Sequence, residues 1–141
     1  MIAPLPDYMA PLRDRMEQVP GHAGKLYWKL GERFLCPCCH LPTLTFREGY
    51  DCCAVCWWED DGQDAADAGE VRGGPNHRYS LTRARQNFRD HLDMYDTGQG
   101  IRVVREPSPA RLSLLAHVRR LVQGEIPVDV GELENVMRAC R

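Results

Sequence analysis

Cys36-Pro37-Cys38-Cys39-His40 and, twelve residues on, Cys53-Ala54-Val55-Cys56-Trp57-Trp58, with Cys52 just before the second run, place six of the chain's seven cysteines within twenty-one positions. Taken on the outer cysteines, the two runs read C-x2-C, thirteen residues, C-x2-C. That is the ligand count and pairing of a closed tetrahedral thiolate site, with Cys36, Cys39, Cys53 and Cys56 as its ligands. Two thiolates of one C-x2-C turn take two corners of a tetrahedron, and the backbone amides after the first cysteine point at the sulfurs. Four anionic sulfurs leave no position for water or substrate, so the expected role of the ion is to hold the fold. Zinc is the expected metal, and a rubredoxin-like iron centre is the alternative that four thiolates also accept.

Between the knuckles, Thr43-Leu44-Thr45-Phe46-Arg47 alternates polar and apolar, Glu48-Gly49 supplies a turn, and Tyr50-Asp51-Cys52 leads back. This predicts a hairpin joining the two knuckles, a zinc ribbon. Cys38 and Cys52 are surplus and read as free thiols, because a disulfide to the adjacent cysteine would depart from ordinary geometry. Either could substitute as a ligand, whereas His40 is a weaker candidate beside four better-spaced thiolates. A thioredoxin-like pair would be a single C-x2-C opening a helix after a strand, and here two pairs each sit at a turn.

With Trp57-Trp58-Glu59-Asp60-Asp61-Gly62, Gly73-Gly74-Pro75-Asn76 and Ser80-Leu81-Thr82-Arg83-Ala84-Arg85-Gln86-Asn87-Phe88 following in order, the sequence resembles the bacterial cysteine-rich CPCC domain family. The resemblance covers about residues 34 to 109, with Val103-Val104-Arg105-Glu106-Pro107 as the closing segment. It implies a small metal-binding domain and leaves its biochemical role open. Two departures stand out: His40 occupies a place where a knuckle usually has glycine, and Ala54 one where the family tends to have proline. Glycine tolerates positive φ cheaply, so His40 is expected to carry a strained backbone.

Outward from the second knuckle runs an acidic stretch, residues 59 to 70. It does not fit the EF-hand template, because placing Gly62 or Gly69 at the sixth position puts Trp57 first or Ala66 third. Such a run usually faces water. The sharper reading is a patch for a basic partner, with Glu59, Asp60 and Asp61 beside Trp57 and Trp58 as aromatic anchors, although at least one tryptophan should pack on the ribbon. Gly73-Gly74-Pro75-Asn76 is a turn and lacks the setting of a phosphate loop. Ser80 caps a helix running to about Tyr95 with Leu81, Ala84, Phe88, Leu92 and Tyr95 on one face. Arg85 and Arg89 flank that face and could grip an acidic group, against the blander reading of solvated arginines.

Residues 101 to 105 read as a short strand. Ser108 and Pro109 start another helix, with Ala110, Leu114, Val118, Leu121 and Val122 on one side and Gly124 as its stop. Asp129 and Glu132 have capping-box spacing before Leu133, Val136, Met137 and Cys140. Toward the N-terminus, Tyr8, Leu12, Met16 and Val19 lie at helical spacing, and residues 25 to 30 suit either a strand or a short helix.

The chain has 141 residues, 27% of them charged and 8% aromatic, so a metal staple would help its modest core. A net charge of −2 argues against a dedicated nucleic-acid binder. No apolar run reaches membrane length and residues 1 to 7 lack a signal-peptide pattern, which predicts a cytoplasmic protein that engages no membrane. Clustered C-x2-C pairs fit a reducing compartment. The five histidines are scattered and no nucleophile elbow is visible, so no enzyme is expected.

The resulting expectation is an α+β fold, a small zinc-ribbon-like β-hairpin core with flanking amphipathic helices. Residues 1–33 form an N-terminal helical extension, 34–109 the CPCC domain and 110–141 a C-terminal helical extension, all in one globular unit. Its expected role is non-catalytic binding of another protein, with an immunity-type partner of a bacterial toxin as one specific form. A nucleic-acid-binding zinc ribbon and a thiol or redox protein are the alternatives.

Overall fold

The computed structural model describes residues 5–140, so residues 1–4 and 141 of the expected extensions lie outside the described residues. Its four strands are β1 (Glu17–Pro20), β2 (Leu26–Leu30), β3 (Arg33–Leu35) and β4 (Pro42–Leu44), which form one antiparallel sheet in sequence order. β1 and β2 join through a turn closed by the Gly21 amide on the Lys25 carbonyl. A Cβ at Gly21 would lie 2.1 Å from the Tyr27 ring, so glycine is required there. β2 and β3 are linked by Gly31-Glu32, with Leu30 opposite Arg33 and Gly31 at φ 62°, the positive value such two-residue turns need.

The four α-helices follow the ribbon: α1 (Leu81–His91), α2 (Arg102–Arg105), α3 (Pro109–Val122) and α4 (Val130–Arg138). The starts of α1, α3 and α4 carry the side-chain caps the sequence predicts. Ser80 accepts from the Arg83 amide, Ser108 from the Arg111 amide and Asp129 from the Glu132 amide. α3 packs against α4, burying Leu114, Val118, Leu121, Leu133 and Met137. Arg33 of β3 reaches both carboxylate oxygens of Glu134 at 2.7 and 2.9 Å, tying α4 to the sheet.

Several expectations are corrected. The helix expected across Tyr8 to Val19 is a 3-10 helix at Ala10–Arg15 followed by β1, because Val19 pairs with Tyr27 in the sheet. Leu12 and Met16 still point inward. The N-terminal extension therefore carries two strands as well as two 3-10 helices, and residues 26–30 form one of those strands. α1 stops at His91 and not Tyr95, since Leu92 turns left-handed at φ 71° and its amide closes on Phe88. The strand expected at 101–105 is the helical turn α2. Ile101 and Val103 are exposed and its amides bond locally to Ile101 and Arg102, so among the described residues β propensity has no neighbouring strand to act through.

The hairpin expected to span the two knuckles is also redrawn. β4 pairs backward with β3, enclosing the first knuckle. The second knuckle closes its own hairpin, with Tyr50 and Asp51 bonded to Asp60 and a bridge between Cys52 and Glu59. The ribbon thus consists of two hairpins, each carrying one knuckle in its turn. No helix among the described residues is long and apolar enough to cross a membrane.

Candidate metal centre

The two knuckles repeat one backbone pattern. The Cys36 amide bonds the Leu41 carbonyl at 2.9 Å and the His40 amide bonds the Cys36 carbonyl at 2.8 Å. In the second, Cys53 bonds Trp58 and Trp57 bonds Cys53, both at 2.9 Å. Folding each C-x2-C this way turns both cysteines of a knuckle toward one point, where the two knuckles meet.

The Sγ atoms of Cys36, Cys39, Cys53 and Cys56 consequently lie within 4.8 Å of one another, all four buried. Across the knuckles, Cys36 is 3.6 Å from Cys56 and Cys39 is 3.7 Å from Cys53. With metal–sulfur bonds of about 2.3 Å, a regular tetrahedron has sulfur–sulfur edges of about 3.8 Å. The four thiols could hold a metal ion in that geometry. Amides of Cys38, Val55 and Cys56 point at Cys36 and Cys53 at 3.4 Å, and Thr43 Oγ1 donates to Cys53 at 3.1 Å.

Electrostatics agree with a cation there. Burial pushes Cys36, Cys39 and Cys56 well above the usual thiol value; the neighbouring thiols add to this at Cys39 and act in both directions at Cys36 and Cys56. Burial pushes Cys53 up as well, but hydrogen bonds from Cys36, Cys39, Cys56 and Thr43 outweigh it and hold this thiol well below its usual value. Four sulfurs in a dry enclosure cannot all ionise against one another, and a bound dication removes that penalty.

The surplus cysteines lie at the edge of this group. Burial pushes Cys38 up, and burial followed by the Cys53 charge pushes Cys52 up to about 12, so both remain protonated near neutral pH and are poor nucleophiles. His40 lies outside the four-sulfur group. Its φ is 63°, the strained value expected at a glycine-type position, and burial followed by the Arg85 charge lowers its imidazole pKa to about 4.

The expected partner patch is not one surface. Trp58 and the Asp60 carboxylate are fully buried, which corrects their reading as an anchor and a solvated or partner-facing acid. Asp60 is ion-paired with Arg47 at 2.7 Å and accepts from the Glu48 amide at 2.6 Å. Trp57 is half-buried, and both backbone groups of Glu59 are held by the Asn76 side chain at 3.0 and 2.7 Å. Asp61 is partly buried and accepts from the Gln63 amide. Farther on, Asp64 and Asp67 cap a 3-10 turn reciprocally. Arg85 points inward and donates to the Pro37 carbonyl at 2.8 Å, while Arg89 is exposed.

Sequence reasoning missed several groups that support the knuckles. Tyr8 donates to the Cys39 carbonyl, Met94 donates its amide to the Cys56 carbonyl at 2.9 Å, and Arg111 bonds the second knuckle. Each is distant in sequence from the residue it holds, so no local spacing announces it.

No curated protein and no solved structure matches the chain. The profile of the cysteine-rich CPCC family matches residues 34–110, more than half of the sequence and all of both knuckles. The chain belongs to the cysteine-rich CPCC family.

Proposed function

We propose that this protein is a non-catalytic binding module whose ribbon is stapled by one zinc ion on Cys36, Cys39, Cys53 and Cys56. The observation that carries this reading is the four-sulfur group, with its cross-knuckle separations of 3.6 and 3.7 Å. A closed tetrathiolate has no coordination site for substrate, which supports a structural role over Lewis-acid catalysis. Zinc is preferred to iron for its established use in such closed structural sites. A structural zinc ion contributes on the order of 10 kcal/mol, comparable to the entire net stability of a small domain. Elemental analysis of protein purified in reducing buffer should give one zinc per chain; one iron with a reversible redox couple would contradict the reading.

Binding to another protein is the role this staple would serve. Support comes from the loop between the knuckles, where Phe46 and Tyr50 remain 48% and 57% exposed while Arg47 between them is anchored to Asp60. Exposed aromatics on an anchored loop lose little freedom on docking and suit an interface centre. The net charge of −2 supports a protein with a basic surface over nucleic acid. A Phe46→Ser/Tyr50→Ser variant that keeps its metal should lose a partner captured by the wild type. Undiminished capture, or a salt-dependent shift with nucleic acid, would contradict this assignment.

A further inference from the structure

Each knuckle is held from outside by an arginine on a helix. In the first, Arg85 of α1 donates Nε to the carbonyl of Pro37 at 2.8 Å. In the second, Arg111 of α3 donates Nη1 to Ala54 at 2.8 Å and Nη2 to Val55 at 2.6 Å. Pro37 and Ala54 are the same position of their respective C-x2-C turns, so two helices make equivalent contacts to the two halves of the centre.

Arg111 is 5% exposed and forms no ion pair with a carboxylate among the described residues. A buried guanidinium without a counter-charge is costly. The leading opposing charges on it are those of Cys53 and Cys56, followed by the carboxylate of Asp93, which makes no direct ion pair with it. Arg85 is partly buried, shares its charge with Asp64 through an ion pair at 3.6 Å and acts electrostatically on Cys38 and His40 of the first knuckle. Four thiolates around a dication carry a net charge of −2, and two guanidinium groups are positioned to offset it.

We propose that Arg85 and Arg111 are the outer, charge-balancing part of the metal centre, and that through them retention of the ion is coupled to docking of α1 and α3. This inference rests on the zinc reading above. By linkage, the factor by which helix docking tightens ion binding is the factor by which the ion tightens docking. A partner that draws α3 away would therefore loosen the ion. Arg111 lies one residue beyond the segment matched by the family profile, so the second clamp comes from the C-terminal part of the chain.

The test uses the full chain, zinc-loaded in reducing buffer and challenged with excess chromophoric chelator, and reads the rate of zinc release. Loss of an outer hydrogen-bonding partner typically costs about 10–100-fold in metal affinity. Arg111→Gln should release zinc about tenfold faster or more, with far-ultraviolet circular dichroism unchanged before chelation, and Arg85→Gln should accelerate release less. Arg111→Lys, which keeps the charge but not the two-pronged bond, should fall between wild type and Arg111→Gln. Wild-type rates in folded Arg111→Gln, or equal rates for Arg111→Lys and Arg111→Gln, would overturn the charge-balancing role. If Arg111→Gln does not fold, Arg85→Gln decides: faster release supports the coupling and an unchanged rate overturns it. A wild-type chain that binds no zinc would instead overturn the zinc reading itself.

Discussion

His40 and Trp57 occupy the same place in the two knuckles, four residues after the first cysteine, and share a left-handed backbone at φ 63° and 71°. Their side chains differ in size, and neither is glycine, so the conformation comes from closure of the knuckle. Each amide bonds the first cysteine's carbonyl, and the next residue, Leu41 or Trp58, returns its own carbonyl to that cysteine's amide. Both of those following residues are fully buried. The positive φ is the conformational cost of turning two thiols toward one point while delivering a large side chain to the core.

That cost makes His40→Gly informative. A left-handed non-glycine residue pays about 1–2 kcal/mol, while glycine returns part of that through greater freedom of the unfolded chain. The variant should be as stable as wild type or more stable by about 1 kcal/mol in denaturant titration, with metal content unchanged. Loss of metal would make His40 a ligand and contradict the four-thiolate assignment.

Asp60→Asn should be among the most damaging single-atom changes. Arg47 and Asp60 have side chains 5% and 0% exposed, and Asp60 also receives amides of Glu48 and Gly62. Breaking a buried pair from one side costs about 3–5 kcal/mol, because the remaining charge stays unpaired. Chemical denaturation of metal-loaded protein measures the difference, and a loss below about 1 kcal/mol, the scale of an exposed pair, would contradict the buried account.

Asn76→Ala tests how the segment after the second knuckle is fixed. Asn76 is 1% exposed and satisfies both the amide and the carbonyl of Glu59. Truncation should destabilise by about 1–3 kcal/mol and speed amide exchange at Glu59 in hydrogen-exchange mass spectrometry. Unchanged exchange would mean that the Cys52–Glu59 bridge holds without it.

The C-x2-C spacing, the caps at Ser80 and Ser108 and the core positions Leu81, Ala84 and Phe88 were legible because each depends on residues a few positions apart. What escaped depends on distant partners. Asp60 looks like one acid in an acidic run until Arg47, thirteen residues earlier, is packed against it. Val103 has the chemistry of a strand residue, but no strand lies beside it among the described residues, so local helical bonds take over. Arg111 has no local sign of its role, since the carbonyls it binds are 57 and 56 residues away.

Native mass spectrometry in reducing buffer of wild type, Cys36→Ser, Cys53→Ser, Cys38→Ser and Cys52→Ser tests the centre most directly. The four-sulfur geometry predicts one metal ion per wild-type chain, zinc on the proposed reading, retained in Cys38→Ser and Cys52→Ser and lost together with the folded charge-state distribution in Cys36→Ser and Cys53→Ser. Folded, metal-free wild type, or zinc that survives loss of Cys36 or Cys53 but not of Cys38 or Cys52, would contradict it.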